Sequence, residues 1–418
     1  MKNILYILFC VLPFFSLGQG QNNNWAGYGW QLSFNTNPPL SWQPIFTPTI
    51  FSFNGSCSSI SNAQGNLQFI SNTYGANFGQ VKSYIYTNQY TLMTNGDNLL
   101  ASNTPQATNI VPFPCNDSMY YVFNVARRGN PWPINTFDLY YSVVNMNKQN
   151  GSGEVVQKNI LLDTNIDAGF AITRHGNNKD FWIAYSKLNT NQHITRQITN
   201  NSISPAITSI IGNNNPWTLT HRKTKKFSPN GQYYVSCSDT GYYFEVFNFN
   251  ANTGIFSNAR TKLIPVQLQP NPSPTVTTNP VFSQFSPDQS KIYISSGYYL
   301  LQYDFLNLNN PPELLFVSNN YPTGSHSGGV GDMAITPQNE FFIIGINTLK
   351  IPLPNLPWPS CGFTSSGHQL NNPNFPTLIP NLFVTREVES DSLLCQYDTI
   401  NLYLSDTSYM DSLVWHFG

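Results

Sequence analysis

Lys226-Phe227-Ser228-Pro229-Asn230-Gly231-Gln232-Tyr233-Tyr234-Val235-Ser236 reads as the end of one strand, a tight polar turn and the start of a second strand. Pro229 presets φ for a turn, and Asn230-Gly231 accept the positive φ that closes it. The alternation of Tyr233 and Val235 with Tyr234 and Ser236 suits a pleated, half-buried strand. The pattern recurs at 60–70, 114–123 and 174–184 before this stretch, and at 285–294 and 335–344 after it. Turn to turn, the copies lie about 50–60 residues apart, the period of β-propeller blades. One such hairpin says little, because any β protein has several. Six in register predict an all-β propeller with WD40-like blades, six or seven of them, with seven favoured.

Composition agrees. Of 418 residues only 9% are charged and 14% aromatic, and Asn supplies roughly one residue in eight, which suits many tight turns. No long apolar segment of period 3.6 is present, so strands are expected throughout. A formal net charge of −1 gives no global reason to expect nucleic acid or an acidic membrane surface as partner.

Residues 1–18 read as a secretory signal peptide: Lys2, an apolar run from Ile4 to Leu17, and small residues at Ser16 and Gly18. The run is short for a membrane span and no stop-transfer charges follow it. After cleavage before Gln19, five cysteines remain (Cys57, Cys115, Cys237, Cys361, Cys395), with no C-x-x-C pair to suggest zinc. Buried free thiols are the expectation, with one disulfide between distant blades as the alternative in an oxidising compartment.

The mature chain opens on the aromatic strand Trp25-Ala26-Gly27-Tyr28-Gly29-Trp30-Gln31-Leu32-Ser33-Phe34, a candidate to close the ring by pairing with C-terminal strands and so hide a sheet edge. Outer strands follow the hairpins at 137–144, 242–249 and 299–305, and Asn-rich turns follow the last two at 250–254 and 307–310. From about Pro352 to Pro380 the chain is rich in Pro and Asn, with little strand signal.

These residues carry a resemblance. The opening Trp/Gly/Leu-x-Phe segment, Cys57 ahead of Asn62-Ala63-Gln64-Gly65-Asn66-Leu67, and Leu139-Tyr140-Tyr141-Ser142-Val143-Val144-Asn145-Met146 form one part of it. Phe227-Ser228-Pro229-Asn230-Gly231, Phe285-Ser286-Pro287-Asp288 and Asn371-Asn372-Pro373-Asn374-Phe375-Pro376 complete it. Together they resemble the propeller domain of large secreted, gliding-motility-associated proteins of Bacteroidota. The strands before the fourth and sixth turns, and an insertion around Pro270 to Pro280, depart from that pattern. The resemblance implies export by type IX secretion to the outer surface or medium of a Gram-negative bacterium, and it transfers no catalytic residue. The end of the chain, with Asp398-Thr399-Ile400-Asn401-Leu402-Tyr403-Leu404 and Val414-Trp415-His416-Phe417-Gly418, resembles the first half of a PKD (immunoglobulin-like) domain. A sandwich cut after two or three strands cannot bury a core, so a longer parent protein is expected. The domain reading is therefore signal peptide 1–18, propeller 19–386 and the start of a PKD-like domain at 387–418.

His221-Arg222-Lys223-Thr224-Lys225-Lys226 holds four of the 19 basic residues, where a propeller places its innermost strand along the central channel. Alternation sends Arg222, Thr224 and Lys226 one way and Lys223 and Lys225 the other. Arg222, Lys223 and Lys225 are thus candidates for an anion or acidic-glycan site, against a solvated strand whose charges only keep the channel wet. Trp132, Trp217 and Trp358, each beside proline, are candidate rigid ligand contacts in loops, against simple packing between blades.

Gly324-Ser325-His326-Ser327-Gly328-Gly329 lacks the strand–elbow–helix setting of a nucleophile loop. The other histidines show no metal spacing, and Asp117, Asp180 and Asp288 sit in or beside turns, where carboxylates cap backbone N–H groups. No catalytic, cofactor or metal residue is nominated. The expected function is a secreted, non-enzymatic recognition or adhesion module that takes a protein or glycan on one face, with no nucleic acid and no membrane span. A glycan hydrolase with its site in the channel and a structural spacer are the alternatives.

Overall fold

The computed structural model describes residues 20–27, 30–36, 38–42, 56–62, 64–74, 81–116, 118–128, 136–214, 224–238, 243–265, 282–295, 299–317, 331–344, 348–365, 375–380, 388–390 and 402–404. They form a seven-bladed β-propeller of antiparallel sheets, each running in chain order from an inner to an outer strand.

Blade 1 has three strands among the described residues: β1 (Asn24–Gly27), β2 (Trp30–Ser33) and β3 (Leu40–Trp42). Blade 2 holds β4 (Cys57–Ser61), β5 (Leu67–Tyr74), β6 (Lys82–Thr87) and β7 (Leu99–Leu100). Blade 3 holds β8 (Thr108–Pro112), β9 (Met119–Arg128), β10 (Thr136–Asn145) and β11 (Glu154–Ile166). Blade 4 holds β12 (Ala171–Arg174), β13 (Phe181–Ser186), β14 (Gln192–Ile198) and β15 (Ile207–Ile210). Blade 5 holds β16 (Lys225–Phe227), β17 (Tyr233–Cys237), β18 (Tyr243–Asn250) and β19 (Ile255–Leu263). Blade 6 holds β20 (Phe282–Phe285), β21 (Lys291–Ser295), β22 (Tyr299–Asp304) and β23 (Glu313–Val317). Blade 7 holds β24 (Met333–Ile335), β25 (Phe341–Ile343), β26 (Leu349–Ile351) and β27 (Thr364–Ser365).

Each of the six hairpins read from sequence joins an inner strand to the second strand of a blade. Five share one construction. In the turn after β16, the Gly231 amide donates to the Ser228 carbonyl, and Gly231 sits at φ 70°. Gly65, Asn178, Gln289 and Asn339 occupy the equivalent left-handed position, the signature of a type I turn closed by a one-residue bulge. In the Ser-Pro turns the side chains complete the loop: Ser228 Oγ donates to Asn230 Oδ1 (2.7 Å), and Ser286 Oγ donates to Asp288 Oδ1 (2.7 Å).

Apolar side chains of alternating strands fill every blade-to-blade seam. Trp182 of blade 4 meets Phe249 of blade 5, Tyr293 of blade 6 meets Phe341 of blade 7, and Trp25 of blade 1 meets Phe342 of blade 7. Burial of such rings drives the ring of blades to close.

The described residues show N- and C-terminal segments meeting at the closure through packing and one parallel bridge. Among the described residues blade 1 holds N-terminal strands, and the described C-terminal segment joins blade 2. Cys57 bridges Pro376 in parallel, the Thr377 amide donates to the Cys57 carbonyl (2.8 Å), and Ser58 Oγ donates to the Thr377 carbonyl (3.1 Å). Phe375 inserts among Trp25, Trp30 and Phe342. Residues 375–380 thus form a strap that runs with β4 and ties blades 7, 1 and 2 together.

A separate antiparallel pair, β28 (Val388–Ser390) and β29 (Leu402–Leu404), lies in the segment read as PKD-like. No helix among the described residues is long and apolar enough to cross a membrane. Among the described residues Cys115, Cys237 and Cys361 are free thiols, and Cys57 is buried in the core. Burial pushes the Cys237 thiol up to about 12 and the Cys57 thiol higher still.

Candidate functional site

The inner strands begin at one end of the central channel and finish in the hairpin turns at the other. At the first end, charged and amide side chains bind each other across the ring. Lys225, at the start of β16, is fully buried. Its ammonium donates to Asp167 Oδ2 (3.0 Å) and to the Ala168 carbonyl (2.7 Å) of blade 4. Lys226 points the other way and reaches blade 7, donating to Asp332 Oδ1 (3.1 Å) and to the Met333 carbonyl. Gln106, just ahead of β8, spans from blade 3 to blade 5. Its Nε2 donates to the Lys225 carbonyl (2.9 Å), and its Oε1 accepts the Lys225 amide (2.7 Å).

The opposite orientation of Lys225 and Lys226 is the one that alternation predicts. Their surroundings are neither a wet channel nor a free anion site. Both ammonium groups neutralise carboxylates of other blades, which low-polarity burial demands of a charge. Neither partner is near in sequence: Asp167 and Asp332 lie 58 and 106 residues away.

Above this floor is a cavity of about 290 Å³. Pro229, Pro287, Pro337 and Asn339 of the inner hairpin turns line it, so its mouth lies on the hairpin face. Asn109 and Gln284 of inner strands and Asn22 near the N-terminus add uncharged amides, and Pro376 to Pro380 of the strap form one wall. Among the described lining residues Asp332 is the one carboxylate, and it is paired with Lys226. Glycoside hydrolysis uses two carboxylates flanking the scissile bond, and the described lining supplies no second one. No group of three or more His, Cys, Asp and Glu that could hold a metal occurs among the described residues.

Of the tryptophans singled out in the sequence, Trp358 is half-buried against the blade 6–7 core, and its amide donates to Gln302 Oε1 (3.0 Å). Trp132, Trp217, Arg222 and Lys223 lie outside the described residues, as do residues 1–18, the loop 324–329, His221, His368 and His416. Sequence reasoning did not find Gln106, Asn109, Asp332 or the strap. Asn is too common in this chain for one buried copy to stand out, and the strap lies in a stretch without strand alternation.

Two titratable groups sit in the seam between blades 4 and 5. Glu245 Oε1 accepts from the Asn213 amide (3.0 Å), Asn213 Nδ2 (2.9 Å) and Thr261 Oγ1 (3.1 Å). Burial raises its carboxyl above the ordinary glutamate value, although these hydrogen bonds oppose the rise. His193 is pushed down to about 4 by burial and by the Lys225 ammonium. Both groups serve blade packing and lie away from the cavity lining.

No protein-family model matches the chain, and no curated protein matches it. Solved structures share its outline. A protein from Lactobacillus plantarum is 12% identical, with 86% of this chain and 96% of that one covered and a TM-score of 0.49. A functionally unknown protein from Desulfotomaculum acetoxidans is 14% identical, with 85% and 97% covered and a TM-score of 0.43. An auxiliary nutrient binding protein from Bacteroides thetaiotaomicron is 10% identical, with 70% and 66% covered and a TM-score of 0.38. Likeness at this level says nothing of ligand or activity, and the propeller assignment rests on the seven sheets themselves.

Proposed function

We propose that this chain is an exported, non-enzymatic recognition module of a multidomain cell-surface protein, binding a glycan or protein partner on the hairpin face of its propeller. The observation that supports this most is the central cavity. It opens between rigid proline turns and is lined by amides, while the charges beneath it neutralise each other. Such a lining offers shape and hydrogen bonds, the elements of binding, rather than a positioned acid and base. Export through the leader at 1–18, a place among type IX secretion cargo and a PKD-like neighbour at 387–418 belong to the same reading, and they rest on the sequence. Trp132, Trp217, Arg222 and Lys223 are proposed as further contacts in loops beyond the cavity.

A glycan array that includes cell-wall and host polysaccharides, probed with the full chain, tests the reading. The expected result is saturable binding that weakens at least tenfold in Trp132→Ala or Trp217→Ala. Absence of binding from a chain with an intact β spectrum, on the array and against extracted surface proteins, would overturn the surface-recognition reading. New reducing ends appearing in one glycan would make the protein a hydrolase.

A further inference from the structure

We infer that the central cavity is a pocket for one neutral sugar residue, held by the side-chain amide of Asn109. The inference deepens the recognition reading above and rests on it.

Asn109 is 1% exposed and lines the cavity. One end of its amide meets Ser58 Oγ at 3.5 Å, and the other end has no partner among the described residues. A buried amide end without a partner is costly and uncommon, so this group asks for a hydrogen-bonding atom from whatever fills the space. Nearby, Gln284 Nε2 reaches only the carbonyl of its own neighbour, at 3.4 Å. Gln106, by contrast, spends both ends of its amide on the Lys225 backbone and is part of the floor.

Three features select the ligand class. The volume, about 290 Å³, is at the low end of small-ligand sites and suits a single ring rather than a peptide segment. The one cation and the one anion of the described lining that face each other, Lys226 and Asp332, are paired. A charged ligand would have to break that pair, while a neutral one leaves it intact. Finally, amide side chains offer donors and acceptors together, and a hydroxyl answers both from one atom. The prolines of the turns and the strap give stiff C–H surfaces against which the apolar face of a sugar ring can lie.

The test is binding of free neutral mono- and disaccharides to the full chain, measured by calorimetry. Glucuronate and glucosamine serve as charged comparators. A neutral sugar is expected to bind saturably, at least tenfold more tightly than either charged one. Asn109→Leu, of similar size but without the amide, is expected to weaken it at least tenfold. As a measurement independent of any variant, the wild-type chain with sugar should show slowed amide hydrogen exchange at 106–112 and 331–340. If free sugars fail to bind, or bind with Asn109→Leu unaffected and those segments unprotected, the pocket is wrong. Should array binding persist in that case, the recognition reading survives alone. If free sugar binds with Asn109 dependence while the array and the surface extracts stay blank, the pocket stands and the surface-recognition reading falls.

Discussion

At the hairpin turns, the residue in the left-handed position sets the geometry of each blade entry. Gly231 occupies it without a side chain at φ 70°, whereas Gln289 at φ 63° and Asn339 at φ 62° carry a Cβ there. A non-glycine residue in this region is disfavoured by about 1–2 kcal/mol, with Asn tolerating it best. The three turns therefore differ in strain although their hydrogen bonds match. Gly231→Ala is expected to lower the unfolding free energy by about 1–2 kcal/mol. Gln289→Gly should raise it or leave it unchanged, because relief of strain offsets the added freedom of the unfolded chain. Urea midpoints of the two variants check this, and a loss in both would show that the left-handed position is not what limits these turns. The Pro-Asn-Gly triplet was legible because its residues carry their conformational preferences locally. Gln289 was not legible as left-handed, since glutamine announces no such preference and its place follows only from the shared turn.

At the scale of elements, the seam between blades 4 and 5 concentrates the buried ionisable groups. Lys225 and Asp167, 0% and 2% exposed, form a pair with no solvent to replace either partner. Lys225→Met would strand the Asp167 carboxylate and is expected to cost about 3–5 kcal/mol, while Lys225→Met with Asp167→Leu should recover most of the loss. A double variant no better than the single one would mean that the cross-ring bonds of Gln106, rather than the charge pair, hold this strand. The pH response of the seam has two parts of opposite sign. His193, depressed to about 4, binds fewer protons folded than unfolded, so stability is lost as pH falls below about 6.5. Glu245, raised above its ordinary value, binds more protons folded, so its effect is a gain on acidification through the region just above that value. His193→Gln should therefore flatten the fall in melting temperature between pH 7 and pH 5, and Glu245→Gln should steepen it. Slopes that move together in the two variants would refute the assignment. None of this was readable from sequence. The basic run ahead of Phe227 showed that charge enters the inner strand, but the acids that receive it belong to other blades, and only the closed ring brings them within reach.

For the whole molecule, the open question posed by the sequence was how the ring shuts, and the structure answers it with side chains and a strap. Six hairpins fixed the blade period in advance, because strand alternation and turn residues are local properties. The seventh interface is not local: it joins residues near 25, 57, 342 and 375, and its signal is spread over a Pro- and Asn-rich tail with no alternation to read. Blade 1 has three strands among the described residues, and what seals it to blade 7 is the cluster of Trp25, Trp30, Phe34, Phe342 and Phe375. Phe375 is the one member of that cluster from the strap that is fully buried, and its ring meets Trp25 at 5.2 Å and Trp30 at 6.5 Å, edge to face. Phe375→Ala is expected to destabilise the protein by about 3–5 kcal/mol, the usual range for a buried aromatic truncated to alanine. Its distribution over the fold is the sharper test. If the strap is the clasp of the ring, hydrogen exchange should quicken first in β1, β2, β24 and β25, on both sides of the seam, while blades 4 and 5 keep their protection. If the strap only decorates blade 2, exchange should quicken in β4 alone. Uniform loss across all seven blades would mean that the ring opens as one cooperative unit, with no seam weaker than the rest.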